Sequence, residues 1–322
     1  MTAHSAQNWN NYWQGQVGQE SGAALGGVGI DHNEALKSFW LAFFKKMPKS
    51  TSVLDIACGA GAVLKHAKMS GLQTLTGVDI SDNAITALTK AHPDINGKVC
   101  PADKLEFTDN QFGAVVSQFG FEYAGSQQNI IAAAREMARV LKPGGKIQLI
   151  SHIKGGVIDL ECRHSLSKAQ LVQDSAFFQH SQATITALLD AKPQNSQIDI
   201  NTAISRMNEA ASPIMEWLQE DKNQQTQFYK FVYYLLESTH TLLNNYAKYS
   251  LDECLSWFRN MKSELEAYSG RMTSMTEAAL DKNAVEDISN IFVKSGLGQT
   301  SFQEFNLKPS SPGAWLISAS SA

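Results

Sequence analysis

The sequence predicts an α/β protein: a doubly wound, mostly parallel sheet of about seven strands, with an all-helical insertion after the fifth. Three observations predict it. Between residues 50 and 151 short apolar runs alternate with helical periods at a regular pace, the pattern of parallel strands joined by crossover helices. From 157 to about 280 that alternation stops, glycine nearly vanishes and 3.6-residue periods dominate. Strand signals then return before the end of the chain.

Residues 1–49 are read as a helical cap, with Trp9, Tyr12 and Trp13 at helical spacing. Five strands are expected at 52–57, 74–79, 97–101, 112–117 and 146–152, with helices over about 63–69, 84–91 and 129–141. Lys142-Pro143-Gly144-Gly145 stops the last of these helices, because proline cannot continue it and glycine permits a sharp turn. Three to five helices are expected over 157–280. Phe228, Phe231, Val232, Leu235 and Leu236 form one apolar stripe there, on a segment continuing towards Tyr249. A helix near 284–294, closed by Gly296, precedes strands at 301–307 and 314–318. Since the sheet resumes, residues 50–156 and 281–322 are read as one domain and 157–280 as a subdomain set into it.

At 322 residues and 43% hydrophobic content the chain has ample core material. A net charge of -4 offers no basic face for phosphate backbones, so no nucleic-acid partner is expected. Cys58, Cys100, Cys162 and Cys254 are scattered without zinc-site spacing, which predicts reduced thiols and no metal. The first 19 residues do not read as a signal peptide, and no apolar run of ~18 residues suggests membrane insertion, so a cytoplasmic location is the expectation.

The chemistry concentrates at Val53-Leu54-Asp55-Ile56-Ala57-Cys58-Gly59-Ala60-Gly61. Glycines at 59 and 61 let the chain turn sharply and bring backbone N–H groups to a ligand at a helix N-terminus. Asp79, 18 residues beyond Gly61 at the tip of the second strand, is placed to take both hydroxyls of a ribose. A nicotinamide site shares that spacing. Two features oppose it: the third glycine position holds Leu64, and Asp55 would repel a pyrophosphate but attract an amine or a sulfonium.

With these residues the chain resembles the class I S-adenosylmethionine-dependent methyltransferases, in particular the small-molecule enzymes of the UbiE and type 11 kind. Residues 53–61, 77–81, 112–119 and 141–150 resemble four of that family's motifs, in order and with the right gaps. The resemblance implies a Rossmann-like sheet whose last strand is antiparallel, S-adenosylmethionine as cofactor, and methyl transfer to a small-molecule acceptor. It implies that Gly59 and Gly61 pack under the methionine part of the cofactor, and that Ala57 and Cys58 lend it backbone groups. Asp55 would orient its amino group, Asp79 hold its ribose and Ile80 pack on its adenine. Where the family has an acid that holds the adenine amino group, this chain has Pro101; Ala102, by its N–H, and Asp103 are the substitutes. Gln118 and Phe119 would line the cofactor, with Glu122 and Tyr123 nearer the acceptor.

Single residues carry bland readings too. Cys58 reads as a small packing residue rather than a nucleophile. His152, at the carboxyl edge after strand five, is a candidate base along with Glu122, and a hydrogen-bonded structural histidine is the competing reading. Tyr12 and Trp13 are candidates to close over the pocket, or to pack a helix on the sheet. Tyr268 and Arg271 are candidate pocket residues, against a solvated helix face. The insertion itself is read as a cover for the acceptor. Two rival functions stay open: a regulatory or assembly protein that binds the cofactor without turnover, and an RNA methyltransferase. A homo-oligomer is compatible with the sequence.

Overall fold

The computed structural model describes residues 30–189, 197–220, 226–308 and 311–321. The chain runs α1 (Ile30–Lys45), β1 (Val53–Ile56), α2 (Ala62–Met69), β2 (Leu75–Asp79), α3 (Asp82–Ala91), β3 (Asn96–Val99) and β4 (Phe112–Gln118). A 3-10 turn (Phe121–Ala124), α4 (Gln127–Val140) and β5 (Leu141–His152) follow. Then come α5 (Val157–Asp174), α6 (Phe177–Leu189), α7 (Gln197–Glu220), α8 (Gln227–Asn244) and α9 (Leu251–Ala278). The chain closes with α10 (Lys282–Lys294), β6 (Leu297–Lys308) and β7 (Ser311–Ser321).

The seven strands form one sheet in the order β3-β2-β1-β4-β5-β7-β6. Pairings among β1 to β5 are parallel, and β7 runs antiparallel to both β5 and β6. The fold class is therefore the one the sequence predicts. The order reverses between β1 and β4, and such a switch point opens a crevice at the carboxyl ends of the strands.

Local chemistry explains the elements that frame this crevice. Ser81 caps α3 by accepting from the Ala84 N–H at 3.2 Å, and Ser126 caps α4 through the Asn129 N–H at 3.3 Å. Helix α4 then buries Ala133, Ala134, Met137 and Val140, one face of a 3.6-residue period, against the central strands. At its end Leu141 takes an extended backbone and the chain enters β5 directly. Strand β5 thus begins five residues earlier than expected, with a register shift around Gly113 where the Pro143-Gly144-Gly145 turn lies.

Two compact units divide the chain. One comprises Met1–Cys162 with Thr273–Ala322, the other Arg163–Met272. The division falls inside α5 and α9 rather than at the expected 157 and 280, because the first turns of α5 and the last of α9 belong with the sheet: Cys162 Sγ meets Met275 Sδ at 3.9 Å. The second unit has its own core. Phe228, Val232 and Leu235 are buried there, as are Trp217, Phe258 and Leu265. Thr226 caps α8 through the Tyr229 N–H at 3.1 Å, and a separate 3-10 turn at Tyr246–Lys248 follows its end. The α8 helix therefore ends short of Tyr249. All four cysteines are buried free thiols, and among the described residues no helix is long and apolar enough to cross a membrane.

Candidate active site

At the carboxyl edge, the loop after β1 is wound by three left-handed residues: Ala57 (φ 53°), Gly59 (φ 52°) and Gly61 (φ 89°). For alanine this conformation costs roughly 1–2 kcal/mol, and such strain clusters where structure serves a ligand. Backbone bonds fix the loop: Cys58 N–H donates to Val78 O at 2.9 Å and Gly61 N–H to Cys58 O at 2.9 Å. Asp79 ties it to the next strand. Its carboxylate accepts from Gly59 N–H at 3.0 Å and from Ser81 N–H at 2.9 Å. The Ile80 N–H also faces this carboxylate; since a carboxylate offers about four acceptor sites, capacity remains for another donor. Next to it Ile80 leaves a large apolar side chain 45% exposed.

Asp55 is the outlier of the site. It is 1% exposed, and among the described residues neither carboxylate oxygen has a hydrogen-bond partner. Burial, reinforced by the charge of Asp79, pushes its acid strength well away from that of a free aspartate, with the pKa raised. An unpartnered buried acceptor is expensive, so a site built this way calls for a donor from outside the chain. The cofactor that the resemblance implies carries an ammonium, a ribose diol and a flat purine. Asp55, the spare acceptor positions of Asp79 and the exposed face of Ile80 fit those three groups. Burial first, then Asp79 and Asp55, also pushes the Cys58 thiol up. A thiol so held is a poor nucleophile, and Cys58 Sγ instead fills the space where a Cβ on Gly77 would stand, 2.7 Å away.

The loop after β3 carries Ala102 and Asp103, both partly exposed. It is held from behind by a charged clamp on α4. Arg139 donates to the carbonyls of Phe107 (2.8 Å) and Leu105 (3.0 Å) while pairing with Glu136 (2.7 Å), and Glu136 accepts the Leu105 N–H at 2.8 Å. The ion pair lowers the Glu136 pKa. Because the clamp is partly solvated, Arg139→Ala is expected to remove about 1–2 kcal/mol. Amide exchange at Leu105 should accelerate markedly in that variant; unchanged protection would show that the loop holds itself.

At the ends of β4 and β5 the structure brings four predicted residues together. Phe119, at φ 51°, stacks its ring on His152 with centroids 4.5 Å apart, and Tyr123 meets the same ring edge-on at 5.8 Å. Glu122 Oε1 accepts from both the backbone N–H of His152 (2.8 Å) and its ring Nδ1 (2.7 Å). Glu122 is thus buried against His152 rather than facing open space. Gln118 is also committed, its Oε1 accepting from Trp40 Nε1 at 2.6 Å. Ser117 Oγ braces the turn by donating to Ile56 O and accepting from Phe121 N–H. Burial, and then Glu122, raises the Tyr123 phenol pKa.

Tyr268 and Arg271 lie in the helical unit and are not among these groups. Tyr268 stacks on Phe228 at 4.9 Å, and the Arg271 guanidinium sits 5.8 Å from the Tyr268 ring. Tyr12 and Trp13 fall outside the described residues. Sequence reasoning missed Trp40 and the Arg139–Glu136 clamp. The clamp had a signal, an acid three residues before an arginine in the last turn of a helix; Trp40 had none, its partner being 78 residues away.

Residues 54–149 match the family model described as "Methyltransferase domain". Among curated relatives, the "Ubiquinone/menaquinone biosynthesis C-methyltransferase UbiE" of Desulfotalea psychrophila is 38% identical over 103 residues, 31% of this chain and 40% of that protein. The "Demethylmenaquinone methyltransferase" of Renibacterium salmoninarum is 35% identical over 95 residues, 30% of this chain and 38% of that one. The chain spans about two fifths of the length of these curated relatives. Among solved structures, Streptomyces venezuelae DesVI aligns with a TM-score of 0.35 and 27% identity, covering 39% of this chain and 53% of its own. Residues 54–149 are a methyltransferase domain of the class I S-adenosylmethionine-dependent kind.

Proposed function

We propose that the chain, building on this domain, is an enzyme that moves a methyl group from S-adenosylmethionine to a small organic acceptor. The observation that carries the reading is Asp55: a buried carboxylate without a partner among the described residues, at the end of the strand that feeds a glycine loop. In this reading Asp55 takes the ammonium of the cofactor, and Ala57, Cys58, Gly59 and Gly61 form the bed for its methionine part. Asp79 accepts from the ribose hydroxyls. Ile80 packs on the adenine, whose amino group meets the Ala102–Asp103 loop. Gln118 and Phe119 line the remaining wall.

The bound cofactor supplies an activated methyl on a sulfonium, which makes the group transferable without a metal. What remains for the protein is to hold the acceptor in line and keep water out. The printed names of the curated relatives favour an aromatic ring of the quinol type as acceptor. The helical unit lies beyond the matched segment, and we assign the selection of the acceptor to it.

Isothermal titration with S-adenosylmethionine and S-adenosylhomocysteine tests the donor site: both should bind the folded protein, and binding by neither sinks the reading. Formation of S-adenosylhomocysteine across an acceptor panel then separates an enzyme from a non-catalytic binder.

A further inference from the structure

We propose that Glu122 and His152 form a proton-accepting pair, in which Glu122 positions the imidazole and His152 Nε2 takes the proton of an aromatic or enolic hydroxyl on the acceptor. The inference rests on the methyl-transfer reading and adds the acceptor class to it.

The geometry is specific about which nitrogen is available. An ionised carboxylate only accepts hydrogen bonds, so with Glu122 in that form the 2.7 Å contact with its Oε1 calls for a ring proton on Nδ1, and a neutral imidazole then carries its lone pair on Nε2. The same oxygen accepts the His152 backbone N–H, which locks the ring to the end of β5. Among the described residues, His152 Nε2 and Glu122 Oε2 are both buried without a hydrogen-bond partner. A purely structural histidine would be expected to satisfy both ring nitrogens. Here one side of the imidazole is over-determined by Glu122, Phe119 and Tyr123 while the other is left chemically open.

The pair also stands beside the donor loop. The turn that carries Glu122 starts at Gly120, where an added Cβ would lie 2.6 Å from Ala57 Cβ and 2.9 Å from Ala57 O. Glu122, after β4, and His152, at the end of β5, are on the same sheet edge as the glycine loop, one and two strands from its root.

A base in this position selects a kind of acceptor. A neutral amine attacks with its own electron pair and needs no proton removed beforehand. An aliphatic alcohol is a much weaker acid than a phenol, so an imidazole alone gives less driving force for taking its proton. A phenol, with a pKa near 10 against about 6.5 for imidazole, lies within reach of general-base catalysis. In the step, the hydroxyl proton passes to His152 Nε2, and the imidazolium is held by the Glu122 carboxylate. The electron pair freed on oxygen forms the bond to the methyl carbon, and the C–S pair stays on the departing sulfur. If the ring carbon ortho to the oxygen attacks instead, His152 returns its proton to the oxygen, the freed Nε2 takes the ring C–H proton as aromaticity is restored, and that proton passes to solvent on product release.

The test uses the whole protein with His152→Asn, which keeps an N–H toward Glu122, and Glu122→Gln, which keeps an acceptor for the backbone N–H. Phenols from unsubstituted to nitro-substituted, and matched aromatic amines, are offered with S-adenosylmethionine, and S-adenosylhomocysteine is measured. Wild type should methylate hydroxyl acceptors. H152N should lose about 10²–10⁴-fold in kcat on weakly acidic phenols, and far less on nitrophenols that are already ionised. E122Q should lower kcat on the same phenols with KM little changed. S-adenosylmethionine affinity should stay within about threefold in both, since neither residue is assigned to the donor. ¹⁵N NMR of His152 in the free protein should show a protonated Nδ1 and a bare Nε2. A uniform loss across the phenol series, turnover of amines alone, no turnover of any hydroxyl acceptor, or a protonated Nε2 each overturns the inference while the donor site stands. Failure of wild type to bind S-adenosylmethionine overturns the methyl-transfer reading itself.

Discussion

Asp55→Asn raises the stability of the ligand-free protein at neutral pH and weakens S-adenosylmethionine binding by about ten- to a hundredfold. Both effects come from one carboxylate. In the free protein its carboxyl oxygens are buried and meet no donor among the described residues, and sparing the fold such a group is worth about 1–3 kcal/mol. The bound ammonium would supply the missing donor, and a charge-assisted hydrogen bond of that kind is worth about 1.5–3 kcal/mol, hence the loss in affinity.

The sign of the pH dependence follows from the same residue. Burial raises the Asp55 pKa above that of the unfolded chain, about 3.9, so the native state binds the proton more tightly. The Asp55 contribution to stability is greatest below the unfolded value and is lost as pH rises through the raised folded value. The stability gap between D55N and wild type should therefore open from acid to neutral pH. Denaturant titrations of both proteins across that range, paired with calorimetric binding, measure it. A variant that is less stable at neutral pH and binds the donor as tightly as wild type would falsify the assignment of Asp55.

Gly61→Ala produces the second large effect, and Gly144→Ala is its internal control. Both glycines are left-handed, at φ 89° and 71°. Each substitution therefore carries the backbone penalty of roughly 1 kcal/mol. At Gly144 nothing lies within 4 Å of the added Cβ, whereas at Gly61 it would stand 2.4 Å from Leu88 Cδ1. Leu88 is fully buried and cannot swing away. G61A should thus lose about 2–4 kcal/mol, the overpacking term adding to the backbone one, and donor affinity should fall as the loop shifts. Equal losses in the two variants would mean that backbone conformation alone sets the cost.

What the sequence could reveal here was limited by distance along the chain. Helices with a polar cap and a clean apolar face were legible to within two residues, as for α3 behind Ser81 and α4 behind Ser126. Strand β3 was placed too late because its residues, Asn96–Val99, are polar or half-exposed and carry little alternation. The hairpin of β6 and β7 is longer than expected at its outer ends, where edge residues such as Gln299, Thr300 and Ser301 pair through backbone alone. In the site, Asp55 announced itself as an acid inside an apolar strand. The Glu122–His152 contact did not, since the partners are 30 residues apart and meet only through the parallel register of β4 and β5. The Trp40–Gln118 contact was hidden for the same reason.

Leu280 closes the chain back onto the sheet. Its N–H donates to His152 O at 2.9 Å, and its carbonyl accepts from Lys154 N–H at 3.0 Å and from Trp315 Nε1 at 2.8 Å. Ile153 and Leu280 form a parallel bridge. The sheet therefore fastens the two ends of a long excursion side by side. Each doubling of such a loop adds only about 0.6 kcal/mol of closure entropy. Leu280 thus acts as a clasp, holding the return of the chain against the end of β5 and against Trp315 of β7.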